Sequence, residues 1–140
     1  MADERKIRAT GGCLCGAVRY ELRGEAGPAG YCHCADCRRC TGSAFNVSVR
    51  VEARDFRVVH GNPKGFTKTA DSGNRLTRYF CPECGSPIYT ASERHPDTYY
   101  LKAGCLDDPG LARPTHQSWT KSRVPWSAID RTLPSFDRET

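Results

Sequence analysis

With 140 residues, nine cysteines and a formal charge of +5, the chain fits one domain burying roughly 68–70% of its unfolded surface, without need of disulfide staples. An odd cysteine count cannot pair completely, and no apolar leader or run near the ~20 apolar residues of a membrane span is present. We therefore expect a cytoplasmic protein whose thiols bind metal or do chemistry. The basicity makes no case for nucleic acid, because seven thiolates holding two Zn2+ ions would lower the charge by three, to +2.

Residues 1–10 read as a flexible N-terminal arm, because nothing through Gly11 shows apolar periodicity. Gly12-Cys13-Leu14-Cys15-Gly16 follows, then Val18, Tyr20 and Leu22 alternate with Arg19, Glu21 and Arg23 as in a half-buried strand. Gly24 to Gly30 reads as a turn into the cysteine cluster, and one short helical turn ends at Thr41-Gly42-Ser43. Phe45, Val47, Val49 and Val51 alternate with polar residues in a second strand, and Asp55–His60 forms a third, closed by Gly61-Asn62-Pro63. Phe66–Thr69 and Arg75–Phe80 flank Asp71-Ser72-Gly73-Asn74 as a hairpin that leads to Cys81-Pro82-Glu83-Cys84-Gly85. Pro87–Ala91 and Thr98–Ala103 read as strands, Asp107–Pro114 as a loop, and His116–Trp119 as a last strand. Val124-Pro125-Trp126 is an apolar patch before a polar C-terminal tail at 131–140. With no long helical pattern, residues 11–130 are expected to form a single zinc-binding domain, mainly antiparallel β with one short helix.

Cys32-His33-Cys34-Ala35-Asp36-Cys37-Arg38-Arg39-Cys40 places four thiols in nine residues. Cys32 and Cys34 share one side of an extended chain, and Cys34, Cys37 and Cys40 follow at helical spacing. The first three can supply three thiolates and leave a metal coordination position open; Cys40 as a fourth ligand would close it. The pair Cys81 and Cys84 needs two further ligands. Cys13 and Cys15 are the obvious complement, although spacing alone also permits Cys32 and Cys34.

These motifs, with Thr41-Gly42-Ser43-Ala44-Phe45 and the late His116, Trp119 and Trp126, closely resemble the glutathione-dependent formaldehyde-activating enzymes and the related centromere protein V, across about residues 10 to 130. The resemblance implies a β-tent fold. It further implies one structural zinc on Cys13, Cys15, Cys81 and Cys84, and a second, labile and catalytic zinc on Cys32, Cys34 and Cys37. The implied activity is that of a carbon–sulfur lyase acting on S-hydroxymethylglutathione, the adduct of formaldehyde and glutathione.

Glutathione carries two carboxylates, and the cations nearest the cluster in sequence are Arg38 and Arg39, which equally suit a solvated helix surface. His33 should point away from its cysteine neighbours, and His60, His95 and His116 read as structural. Asp36 suits the first helical turn, Ser43, Phe45 and Trp126 suit turn or packing roles, and Cys105 reads as buried and inert. Two other functions compete: a non-catalytic zinc-stabilised module that carries glutathione or docks on a macromolecule, and a redox enzyme of the methionine sulfoxide reductase type using Cys40 or Cys105.

Overall fold

Alternation of apolar and polar residues along short strands dictates two sheets with their apolar faces together. The computed structural model describes residues 3–127 and 132–139, within which lie ten strands and one α-helix. The strands are β1 (Ala9–Gly12), β2 (Arg19–Leu22), β3 (Ala29–Cys32), β4 (Asn46–Glu52), β5 (Phe56–His60), β6 (Lys64–Thr69), β7 (Arg75–Phe80), β8 (Pro87–Ser92), β9 (Thr98–Lys102) and β10 (Pro114–Ser118). The helix, α1, spans Ala35–Thr41. One sheet has the order β1-β2-β5 and the other β10-β3-β4-β9-β8-β7-β6. All pairings are antiparallel except β10 with β3, which is parallel. The chain is thus mainly β with one helix, as expected. No helix among the described residues is long and apolar enough to cross a membrane.

Tyr20 and Leu22 of the small sheet are buried with Val49, Val51, Ile88 and Leu101 of the large one in a single core. Phe56, Tyr89 and Tyr99 extend it as an aromatic cluster, with ring centroids 4.7–5.6 Å apart. The alternation that puts Val47, Val49 and Val51 toward this core sends Ser48 and Arg50 to the opposite face of the large sheet.

Two strands differ from the sequence expectation. Ala9 and Thr10, placed in the arm, belong to β1, and Ala29 and Gly30, placed in a turn, belong to β3. Both segments are glycine-rich for steric reasons. A Cβ on Gly11 would lie 2.3 Å from the Tyr20 hydroxyl and 2.4 Å from the Cys105 carbonyl oxygen, and one on Gly30 would lie 2.4 Å from His116 Nε2. These glycines permit close packing and do not mark turns. The last strand ends at Ser118 because Trp119 is left-handed, at φ 56°. Beyond it, Pro134 and Phe136 exchange backbone hydrogen bonds with Gln117 at 2.9 and 3.0 Å, so part of the expected tail lies along β10. The expected boundary between residues 130 and 131 lies outside the described residues.

Candidate functional site

Cys13 and Cys15 sit in the loop joining β1 to β2, and Cys81 and Cys84 in the loop joining β7 to β8. Their Sγ atoms lie within 4.8 Å of one another, so this cluster ties the small sheet to the large one. The Cys13–Cys15 and Cys15–Cys81 separations are 3.7 and 3.8 Å. A tetrahedral ion with Zn–S bonds of about 2.3 Å requires edges of about 3.8 Å, so the sulfur spacing already fits zinc.

The backbone supports negative charge on these sulfurs. Val18 N–H donates to Cys13 Sγ at 3.2 Å, and Glu83 and Cys84 N–H to Cys81 Sγ at 3.4 and 3.5 Å. Gly85, at φ 78°, makes the turn that aims them. Ser86, side chain and backbone N–H together, draws the Cys84 thiol down to about 5. At Cys15 the Ala17 N–H pulls the other way but is outweighed by desolvation and the neighbouring sulfurs, and the thiol is pushed up to about 12. Four crowded thiols therefore resist full ionisation until a cation joins them.

The second cluster is built by the end of β3 and the start of α1. Cys32 is the last residue of its strand, and Cys34 is the helix N-cap, its Sγ accepting from Cys37 N–H at 3.2 Å. Gly42 closes the helix in the left-handed conformation that its C-cap requires. The Sγ atoms of Cys32, Cys34 and Cys37 lie within 4.8 Å of one another. Hydrogen bonds from Cys34 and Cys37 hold the Cys32 thiol down to about 3. The thiolate so formed pushes Cys34 and Cys37 up; the hydrogen bond between these two raises Cys37 further and offsets part of the rise at Cys34, and burial adds to both. One proton leaves easily and the others are retained, a charge state that a divalent cation would relieve. Both clusters can hold metal ions.

Cys40 lies outside this group. Its thiol is exposed and donates to the Cys37 carbonyl at 3.4 Å. Cys105 is half-buried, donates to the Pro87 carbonyl at 3.0 Å, and has its thiol raised by burial.

Cys32 and Cys37 line a cavity of about 280 Å3. Its floor is the polar face of the large sheet, and strand register explains its composition. Cys32 pairs across to Asn46 and Ser118, Gly30 to Ser48 and His116, Ser48 to Lys102, Arg50 to Tyr100, and Arg78 to Thr90. All of these line the cavity. Arg38 and Arg39, in the last turn of α1, do not.

His116 Nδ1 lies 3.1 Å from Thr115 Oγ1, and burial with the nearby Arg50 charge keeps its pKa below the usual histidine value. Its cavity position differs from the purely structural role expected of it. His95 also lines the cavity, at an exposed rim, whereas His60 is exposed in β5. His33 is buried, with Nε2 3.0 Å from Gln117 Oε1, and faces away from the sulfurs as expected. Asp36 accepts from Lys68 Nζ at 2.6 Å, Phe45 packs edge-on to Tyr31 at 5.1 Å, and Ser43 and Trp126 are exposed. Sequence reasoning missed the cavity cations because nothing but register brings Arg50, Arg78 and Lys102 to one face. The available signal was polar placement at every second residue, which β4 carries plainly at Asn46, Ser48 and Arg50 and β7 and β9 do not.

A crystallised Rhodobacter sphaeroides protein resembles this chain with a TM-score of 0.58 and 26% identity, over 71% of this chain and 88% of that one. A Halomonas elongata protein named "Putative glutathione-dependent formaldehyde-activating enzyme" is 29% identical over 109 residues, which are 74% of this chain and 68% of that protein. Residues 8–122 match the family described as glutathione-dependent formaldehyde-activating enzyme. With most of its length inside that match, and with cysteine clusters that can hold metal, the chain belongs to the glutathione-dependent formaldehyde-activating enzyme family.

Proposed function

We propose that the protein is a cytoplasmic zinc-dependent carbon–sulfur lyase that forms or splits the adduct of formaldehyde and glutathione. In this reading Cys13, Cys15, Cys81 and Cys84 hold a structural zinc, and Cys32, Cys34 and Cys37 hold a catalytic one. The observation that carries it is the three-thiol cluster, opening onto the cavity through Cys32 and Cys37 with Cys40 outside the group. Three protein ligands leave a position for a ligand, whereas four would close the centre.

A zinc ion held there supplies a binding position for the glutathione sulfur and Lewis acidity toward the adduct oxygen. The chain's own residues do the rest. The cavity floor positions the adduct against the sulfur-rich end, and the two packed sheets keep the opposite face dry. His116 is neutral at neutral pH, which suits it to accept the hydroxyl proton of the hydroxymethyl group. As that proton leaves, the carbon–oxygen double bond forms and the carbon–sulfur electron pair returns to sulfur. The reverse sequence makes the adduct.

The test is exchange spectroscopy on formaldehyde and glutathione with zinc-loaded protein. Exchange should accelerate, and Cys37→Ser should abolish the acceleration. Unaccelerated exchange with wild type at full zinc occupancy would favour the non-catalytic carrier.

A further inference from the structure

The cavity beside the three-thiol cluster contains a buried cation with no carboxylate partner among the described residues; Glu139, which also lines the cavity, lies 3.9 Å from Arg94. Lys102, in β9, is 6% exposed, and its Nζ donates to Asn46 Oδ1 at 2.7 Å. The Asn46 amide is fixed in that orientation because its Nδ2 donates to Ser48 Oγ at 2.7 Å. Among the described residues no carboxylate pairs with Lys102, Arg50 or Arg78. Lysine is almost never this deeply buried without a charged partner, since a neutral amide offsets little of the lost hydration. An ammonium has three donors, of which Asn46 occupies one. Lys102 lines the cavity, so a ligand seated there meets a charge already stripped of water and held in place.

We propose that Lys102 determines specificity in this cavity by binding a carboxylate of the ligand, so that the site selects carboxylated thiols and their aldehyde adducts over uncharged ones. The inference rests on the reading of the three-thiol cluster as a thiol-binding centre and adds the residue that recognises the remainder of the ligand. Register sets the geometry: Cys32 pairs with Asn46, and Ser48, two residues along β4, pairs with Lys102. The backbones of Cys32 and Lys102 are therefore about two strand spacings and two residues apart, roughly 12 Å, and the Lys102 side chain reaches back across that gap to Asn46, the residue opposite Cys32, which turns the ammonium toward the sulfur-rich end of the cavity. Arg50 is exposed and Arg78 half-buried; they add attraction at longer range.

The experiment is calorimetric titration of the zinc-loaded full chain with glutathione and with glutathione diethyl ester, whose carboxylates are masked. Wild type should bind glutathione about ten- to a hundredfold more tightly, the range expected for a hydrogen bond to a charged group. Lys102→Met should bring the two affinities within about threefold while zinc content stays at the wild-type value, and Lys102→Arg should keep part of the preference. An undiminished preference in Lys102→Met overturns the proposal, as does its absence in wild type. Equal weakening of both ligands, or loss of zinc with the substitution, also overturns it, because the ammonium would then serve the sulfur cluster and not the ligand. Should Lys102→Met fail to fold, Lys102→Gln is judged by the same ratio. A wild type that prefers glutathione yet leaves formaldehyde exchange unaccelerated sinks the lyase reading and leaves this assignment standing. Acceleration with the diester equal to that with glutathione does the reverse.

Discussion

Replacing Cys13 and Cys15 together by serine removes every ligand that the small sheet offers to the four-thiol cluster, and the loss can be sized from chain separation. Cys15 and Cys81 are 66 residues apart, and a cross-link closing such a loop removes about 4 kcal/mol of chain entropy from the unfolded state. Unfolding entropy near 2.1 cal/mol/K per residue, over this length, converts that to a fall of about 14 °C in Tm. Serine keeps an acceptor for Val18 N–H and Cys15 is exposed, so the only packing loss is that of half-buried Cys13 against the core, which adds to the fall. The assay is scanning calorimetry at fixed free zinc, with metal content by mass spectrometry; the double variant should also lose one zinc of two. Cys40→Ser, another exposed thiol, is the control and should keep both ions and the wild-type Tm. A double variant within about 3 °C of that control would refute the clamp.

Gly30→Ala drives a methyl group to 2.4 Å from His116 Nε2, so the imidazole must leave its place while the strand remains. We expect kcat to fall at least tenfold with zinc content unchanged, and no further fall when Gly30→Ala is added to His116→Ala; additive losses would remove His116 from the reaction. The depressed His116 pKa has a defined sign: the unfolded state binds more protons, so its contribution destabilises the fold as pH drops below the ordinary histidine value near 6.5. Turnover should fall over a window lying below 6.5, and a profile flat through that range at constant zinc occupancy would exclude a neutral imidazole as proton acceptor.

The strands with strong alternation, β2 and β4, were legible because one face of each is packed in the core, and β7 because the turn signal at Asp71-Ser72-Gly73-Asn74 marks its hairpin. The three-thiol cluster was legible too, since Cys-x-Cys on extended chain running into Cys-x-x-Cys at a helix start fixes sulfur directions locally, whereas spacing left open which pair completes Cys81 and Cys84, and only the family resemblance pointed to Cys13 and Cys15. β1 and β3 were not. Gly11 and Gly30 are required by Tyr20, Cys105 and His116, which are distant in sequence, and a glycine kept for close approach reads like a glycine kept for a turn. The cavity was illegible for a related reason. Arg38 and Arg39 are nearest to the cysteines along the chain, but α1 carries them off, while Lys102 arrives through the pairing of β3 to β4 and of β4 to β9. Sequence neighbours are set by the chain, and cavity neighbours by register.

Register also resolves an electrostatic difficulty in the lyase reading. Three thiolates around a divalent ion carry −1, and an incoming thiolate adds a second negative charge. At about 4 Å and an effective dielectric constant near 20, such charges repel by about 4 kcal/mol. The sheet face bearing Arg50, Arg78 and Lys102 reverses the local sign, from −2 to +1 on a formal count. Salt separates the contributions of these cations, because the Debye length shrinks from about 10 Å at 0.1 M to about 3 Å at 1 M and acts on exposed charges far more than on buried ones. Raising NaCl from 0.1 to 1 M should therefore weaken glutathione binding severalfold, through exposed Arg50, while the preference for glutathione over its diethyl ester survives at Lys102. If the preference collapses along with the affinity, the exposed arginines carry the recognition and the buried ammonium does not.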